Sequence, residues 1–293
     1  MLITNQSLEP DSSTQKTPDK EYANRLYALG RFLFVRRSYS FFQNLRQRPN
    51  PTFYKQRLNI CERSLFEEFN VDMGVEQMRQ EGVSFGLRLP APLIEQIHDY
   101  ALQTPCTEPG FPEEFFITQV KNGCLPCGHQ VLRALVSNVK GCDAIAKIAQ
   151  DPVLLQIVHN YLHYWPTRIT KHLSWSVASD LSDEEKRRRY PPATFHYDIA
   201  GFNFMTAYFY ITDVDEHSGP HVMLKGSHGK KPLPILLSSN RHPDSTIFKH
   251  YSQENEIVIT GKRGFGFVQD PSCIHKVIPP VTANRLLLQI RYS

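Results

Sequence analysis

No apolar run in this 293-residue chain approaches the roughly 18 to 20 residues that a bilayer-spanning helix needs. The opening segment MLITNQSLEPDSSTQKTPDK lacks the apolar stretch of a secretory signal, so export is not expected. Six cysteines (Cys61, Cys106, Cys124, Cys127, Cys142 and Cys273) are too few for a disulfide framework in a chain this long. Reduced thiols and a cytoplasmic location are the expectation. Internal repeats and low-complexity tracts are missing as well. What is present, 41% hydrophobic and 11% aromatic residues, is enough for the core of an ordinary globular protein.

Acidic residues are absent from one long stretch. Residues 22–57 hold no Asp or Glu but eight basic side chains: Arg25, Arg31, Arg36, Arg37, Arg46, Arg48, Lys55 and Arg57. The rest of the chain has 25 basic residues against 29 acidic ones, so the basicity behind the net charge of +4 is local. Aromatics interleave it, among them Tyr27, Phe32, Phe34, Tyr39, Phe41 and Phe42. The expected organisation is a disordered tail over 1–20, a basic aromatic helical arm over 21–60, and a single domain over 61–293. The first reading of the arm packs its aromatics on the body and leaves its arginines solvated. Docking of residues 22–57 onto a membrane surface or a protein partner is the alternative. Nucleic acid is disfavoured, because no recognised motif accompanies the basic patch.

Residues 61–165 read as helical. Leu93, Ile94, Ile97 and Ala101 recur at helical spacing behind Pro90 and Pro92. Asp151 is a candidate N-cap with Pro152 at the first helical position, and Leu154, Leu155, Val158 and Leu162 form the apolar face. After Pro166 the pattern changes to short alternating segments: RITKHLSWSVA, FNFMTAYFYITDV, HVMLKGS, NEIVIT, GFGFV and RLLLQIRYS. These predict strands of a sandwich or barrel made of two facing sheets. The fold class expected is mainly β with flanking helices (α+β).

The chemistry-bearing residues are sparse. His196 and Asp198 are two apart, so on an extended chain both point to one face. His275 follows 79 residues later, and Arg285 ten residues after that. Two imidazoles and one carboxylate can take one face of an octahedral Fe(II) and leave three positions open. Alone, H-x-D is a weak signal in a chain with 12 histidines, and a surface pair explains it equally well. Arg285, Leu287, Gln289 and Arg291 share one face of the last strand, which lets Arg285 point into a cavity.

The stretch FHYDIAGFNFMTAYFYITDVDEHSGPHVMLKGSHGKK, followed by DPSCIHKVIPP and NRLLLQIRYS, resembles the phytanoyl-CoA dioxygenase family. The H-x-D, the TDVDE-x-x-G-P segment, the G-S-H turn, the distal His and its following Arg stand in the family's order. The resemblance covers about 165–293 well, reaches faintly back to 65, and leaves out 1–60. It implies a double-stranded β-helix (jelly-roll or cupin-like) core over 166–293 and a dioxygenase using Fe(II) and 2-oxoglutarate. Such an enzyme hydroxylates a small-molecule or lipid-like substrate with O₂ and releases succinate and CO₂. His196, Asp198 and His275 would be the metal ligands, and Arg285 would clamp the far carboxylate of 2-oxoglutarate. One hydroxyl of Thr206, Tyr208 or Tyr210 could touch 2-oxoglutarate; lining the barrel is their other reading. Ser227 and His228 match the G-S-H turn and are candidates for the substrate side as well as for fixing the loop. Asp198 stands where halogenating relatives carry a small residue, so hydroxylation is expected over halogenation.

Lesser signals remain. Cys124-Leu-Pro-Cys127-Gly-His129 looks like half a zinc site without its second pair, and a loop role is preferred. DEEKRRR at 183–189 reads as a solvated loop in which Arg187 could meet an acidic substrate group. A non-catalytic β-helix scaffold working through the basic arm, and a zinc hydrolase using the same three ligands, are the competing functions.

Overall fold

A computed structural model describes residues 25–49 and 63–293. The expected tail over 1–20 and the ends of the arm lie outside the described residues. A 3₁₀ turn at Arg25–Arg31 leads into α1 (Leu33–Gln47). The body then runs α2 (Val71–Glu81), β1 (Val83–Arg88), α3 (Ala91–Gln103), β2 (Cys106–Thr107), β3 (Arg133–Val136), α4 (Asp143–Ala149) and α5 (Pro152–Leu162). After these come β4 (Ile169–Ser176), α6 (Asp183–Arg189), β5 (Phe195–His196), β6 (Met205–Tyr210) and β7 (His221–Leu224). The last elements are α7 (Leu233–Leu237), β8 (Arg241–His242), α8 (Asp244–Ile247), β9 (Glu256–Ile259), β10 (Phe265–Gln269), β11 (His275–Val277) and β12 (Arg285–Tyr292). No helix of the described residues is long and apolar enough to cross a membrane.

Two antiparallel sheets result, a large one in the order β1-β10-β6-β12-β4-β3-β2 and a small one in the order β8-β5-β11-β7-β9. Strand β12 shows how sequence alternation becomes layers. Leu286, Leu288, Ile290 and Tyr292 are fully buried in the main core with Leu154, Leu155 and Val158 of α5. Burying each of the three aliphatic side chains contributes about 1.5–3 kcal/mol. The alternate residues Arg285, Leu287, Gln289 and Arg291 face the other way, onto a cavity between the sheets. The outer side of the small sheet has its own core, where Phe195, Val222 and Ile274 meet Ile235 of α7 and Ile247 of α8.

The two helices expected from apolar spacing are α3 and α5. Asp151 caps α5 as anticipated, accepting from Val153 and Leu154 N–H, and also from the Ser64 hydroxyl at 2.9 Å. The helical reading of 61–165 needs correction, because β1, β2 and β3 from this half extend the large sheet at both edges. They are short, and β1 lacks alternation because its register against β10 shifts between Phe85 and Leu87, at Gly86. DEEKRRR is a helix rather than a loop. Ser182 caps it, three acids fill its first turn and four basic residues its end, matching the helix dipole.

The arm follows the expectation in part: Tyr27 and Tyr39 pack on Phe202 and Tyr164 of the body, and Arg37, Arg46 and Arg48 are exposed. The face of α1 turned to the body carries Arg36, Ser40 and Gln47, all buried, while Phe34, Phe41 and Phe42 are exposed. Opposite the buried polar side chains lies a buried carboxylate, Asp270, whose charge Arg36 compensates. Arg36 pairs with Asp270 and also donates to Ser272 Oγ at 2.5 Å and Asn203 Oδ1 at 3.0 Å.

Gly82 links α2 to the same loop. It ends α2 at φ +80°, and its carbonyl accepts from Asp270 N–H at 2.9 Å. A Cβ there would lie 2.2 Å from Cys273 Sγ and 2.7 Å from His228 Nδ1. Gly82→Ala combines a left-handed backbone with overpacking and should lower stability by about 2–4 kcal/mol in denaturant unfolding. A loss under about 1 kcal/mol would mean that the loop is not held against α2.

Candidate metal centre

Strand pairing does what spacing alone could not. His196 on β5 and His275 on β11 are directly opposite in the small sheet. Asp198 follows β5, and its N–H donates to Pro271 O at 2.9 Å, which fixes it beside the loop leading into β11. Asp198 Oδ1 then lies 3.7 Å from His196 Nε2 and 3.8 Å from His275 Nε2. Among the described residues, these three form the one group of His, Cys, Asp or Glu side chains close enough to share a metal ion.

Both imidazoles are oriented by the same device. His196 Nδ1 is 2.9 Å from Thr194 O, and His275 Nδ1 is 2.8 Å from Cys273 O, each a backbone carbonyl two residues upstream. A carbonyl can only accept, so Nδ1 carries the hydrogen and the Nε2 lone pair faces the shared point. Burial, with a smaller contribution from His275, pushes the pKa of His196 down to about 3, which keeps it neutral and able to bind a metal. Burial would raise the pKa of Asp198, but Arg291, His275, His196 and Arg241 outweigh it and the carboxyl is held low. Arg291 does this by donating to Oδ2 at 2.9 Å, leaving Oδ1 to the centre.

The cavity in front of these three side chains has a volume of about 350 Å³. Its floor holds Arg285, Tyr208 and His221, at 2%, 4% and 3% exposure. Arg285 donates to Gly219 O and to Ser176 Oγ at 2.9 Å, while its Nε is buried without a partner. Gly219 O is available because Asp215 and Ser218 close the preceding turn: Asp215 Oδ1 accepts from Ser218 Oγ at 2.8 Å and from His217 N–H at 2.9 Å. His221 Nε2 is likewise buried without a partner, and its ring stacks on His275 at 5.2 Å.

The other sequence candidates, Tyr208 apart, lie outside the cavity lining. Of the three hydroxyl residues on β6, Tyr208 reaches the cavity wall and Thr206 and Tyr210 do not. Tyr210 is tied by its hydroxyl to Ile259 O at 2.7 Å and to His221 N–H. Ser227 donates to Leu224 O at 2.7 Å and accepts from Ile274 N–H at 2.8 Å, pinning the start of β11. His228 lies behind the cavity against Arg79 O and Cys273 Sγ. Arg187 is exposed on α6, outside the wall. His129, from the Cys124–His129 turn, meets Glu108 at 2.7 Å and stacks on Phe111 rather than joining a metal group.

Sequence reasoning missed Arg133, His172, His221, Arg241 and Arg291 as wall residues. Only Arg291 had a usable signal, its shared face with Arg285. Arg133, His221 and Arg241 sit on strands of two to four residues whose facing is set by tertiary pairing, and His172 sits on β4.

No protein-family model matches the chain, and no curated protein matches it. Several solved structures resemble it. One is the non-heme alpha ketoglutarate dependent epimerase SnoN from nogalamycin biosynthesis, in complex with Fe3+, alpha ketoglutarate and nogalamycin RO. It is 14% identical, covers 76% of this chain and 82% of its own, and has a TM-score of 0.49. HygX from Streptomyces hygroscopicus, with nickel and 2-oxoglutarate bound, is 15% identical over 75% of this chain and 86% of its own, at a TM-score of 0.49. The non-heme monooxygenase ThoJ in its nickel complex is 13% identical over 74% and 76%, at 0.45. Likeness at this level leaves the function to be carried by the site itself.

Proposed function

We propose that this chain is an Fe(II)- and 2-oxoglutarate-dependent dioxygenase, built on a double-stranded β-helix, that hydroxylates a small-molecule substrate. The observation that carries the reading is the convergence of His196 Nε2, Asp198 Oδ1 and His275 Nε2 on one point of a cavity floored by Arg285. Two imidazoles and a carboxylate suit Fe(II) with one face left open. When bound there, iron with 2-oxoglutarate supplies O₂ activation for C–H hydroxylation, with succinate and CO₂ as co-products.

The chain's own residues do the rest. The two backbone carbonyls and Arg291 aim the three ligand atoms. Arg285 holds the distal carboxylate of 2-oxoglutarate, with its unpartnered Nε as a donor and Ser176 and Gly219 keeping the guanidinium in plane. Tyr208 is the β6 hydroxyl placed to assist. Residues 61–293 serve as the catalytic domain, and the arm is a clasp on it. The outward face of α1, with Phe34, Phe41 and Phe42 exposed, supports docking of this arm onto a membrane surface or a protein as a second role. A zinc hydrolase would give the buried Arg285 no task.

Arg285→Ala should raise the KM for 2-oxoglutarate about 10- to 100-fold in succinate-release assays, as expected for losing charge-assisted hydrogen bonds of about 1.5–3 kcal/mol. Arg285→Lys should recover only part of that, because an ammonium cannot supply the planar fork. An unchanged KM in the alanine variant would remove Arg285 from the co-substrate site.

A further inference from the structure

The cavity holds far more positive charge than one 2-oxoglutarate can use. Its wall includes Arg133, Arg241, Arg285 and Arg291 against a single carboxylate, Asp198, and Arg291 already engages that one. A metal dication and the 2-oxoglutarate dianion cancel each other, so the arginine excess persists in the loaded enzyme. His172, also in the wall, adds no charge: burial, then Arg291 and Arg133, push its pKa down to about 4.

Arg133 and Arg241 are set apart from the buried Arg285. In the large sheet, Arg133 on β3 and Arg285 on β12 flank Ser176 of β4, so all three stand in one row on the cavity face. In the small sheet, Arg241 on the edge strand β8 pairs with His196, which puts it beside the ligands from the other side. Arg133 is half-buried and Arg241 is exposed, so the pair marks the open end of the cavity. Among the described residues, no carboxylate lies within ion-pairing distance of either guanidinium. Arg241 spends one N–H on Pro191 O at 2.8 Å. Partial burial and the like charge of Arg133 both depress the pKa of Arg241, against the pull of Asp198. Two unpaired cations facing one cavity repel each other unless an anion comes between them.

We propose that the substrate carries an oxyanion, a carboxylate or a phosphate, and that Arg133 and Arg241 hold it at the cavity mouth. This deepens the oxygenase reading and rests on it for the assignment of Arg285 to 2-oxoglutarate. Anchored between the two sheets, the oxyanion leaves the remainder of the substrate pointing toward the open face of the metal. A cationic substrate would meet repulsion, and a pure hydrocarbon would leave both guanidiniums unpaired in the cavity.

The test uses full-length protein loaded with Ni(II) and 2-oxoglutarate, in which turnover is blocked, titrated calorimetrically at low salt with inorganic phosphate and, separately, with acetate. At least one anion should bind saturably at one equivalent, and the tighter of the two names the substrate's group. Arg133→Gln and Arg241→Gln should each weaken that binding tenfold or more while changing 2-oxoglutarate affinity less than threefold. Arg133→Lys should keep part of it. The proposal is overturned if neither anion binds saturably, if the variants bind like the wild type, or if 2-oxoglutarate affinity falls as much as anion affinity. A wild type that binds the anion but takes up neither nickel nor 2-oxoglutarate would support the anion site and sink the oxygenase reading.

Discussion

His275→Ala is expected to lower Fe(II) affinity by at least about 100-fold while the protein stays folded. Loss of a group that merely orients a metal-bound histidine typically costs about 10- to 100-fold, and loss of the ligand itself must cost more. The fold should tolerate the change because β11 is held by backbone pairing to β5 and β7, which alanine preserves. A chelator competition titration measures the affinity, and far-ultraviolet circular dichroism checks the fold. Asp198→Ala should match it in iron loss but cost more stability, since it also strands the buried Arg291 without its carboxylate. Wild-type iron affinity in a folded His275→Ala variant would mean that the metal binds elsewhere.

The second large effect is at Arg36, about 160 residues before the first ligand in sequence. Arg36 and Asp270 form a buried ion pair, and Tyr161 donates to the same carboxylate oxygen at 2.6 Å. From Asp270 the chain passes to Pro271, whose carbonyl receives Asp198 N–H, and to Cys273, whose carbonyl orients His275. Arg36→Ala should therefore destabilise the protein by about 3–5 kcal/mol, the cost of leaving a buried charge unpaired. It should also weaken Fe(II) binding in protein that remains folded, about 10- to 100-fold if the loop misplaces its carbonyls. A loss of stability with unchanged iron affinity would reduce Arg36 to an anchor for the arm. A pH dependence follows from the same pair. Burial would raise the pKa of Asp270, but Arg36 outweighs it and holds the carboxyl well below the usual range. A depressed folded pKa contributes stability that is fully present above the unfolded value near about 4. That stability should drain away as the pH falls below about 4, and Arg36→Ala should flatten the drain in acid unfolding.

The parts of the fold that are legible in the sequence are those where local pattern and tertiary fate agree. β12 alternates because one face packs on helices and the other faces the cavity. α5 begins where Asp151 and Pro152 say it must. The proposed metal ligands are legible as a set only through the resemblance, in which H-x-D, the glycine turn and the distal His and Arg follow one order. What stays hidden depends on partners far away in sequence. Arg36 of the arm is buried because it pairs with Asp270, which no periodicity in residues 33–47 reveals. Arg133 and Arg241 reach the cavity only because β3 pairs with β4 and β8 with β5. Strands as short as these carry too little alternation to announce their facing.

The most direct test of the central claim is anaerobic spectroscopy of the full-length protein with Fe(II) and 2-oxoglutarate. Chelation of the keto acid to iron held by His196, Asp198 and His275 should produce a weak visible metal-to-ligand charge-transfer band. The band should be lost in His196→Ala and weakened in Arg285→Ala at limiting 2-oxoglutarate. Folded, iron-loaded wild-type protein that shows no such band would contradict the assignment.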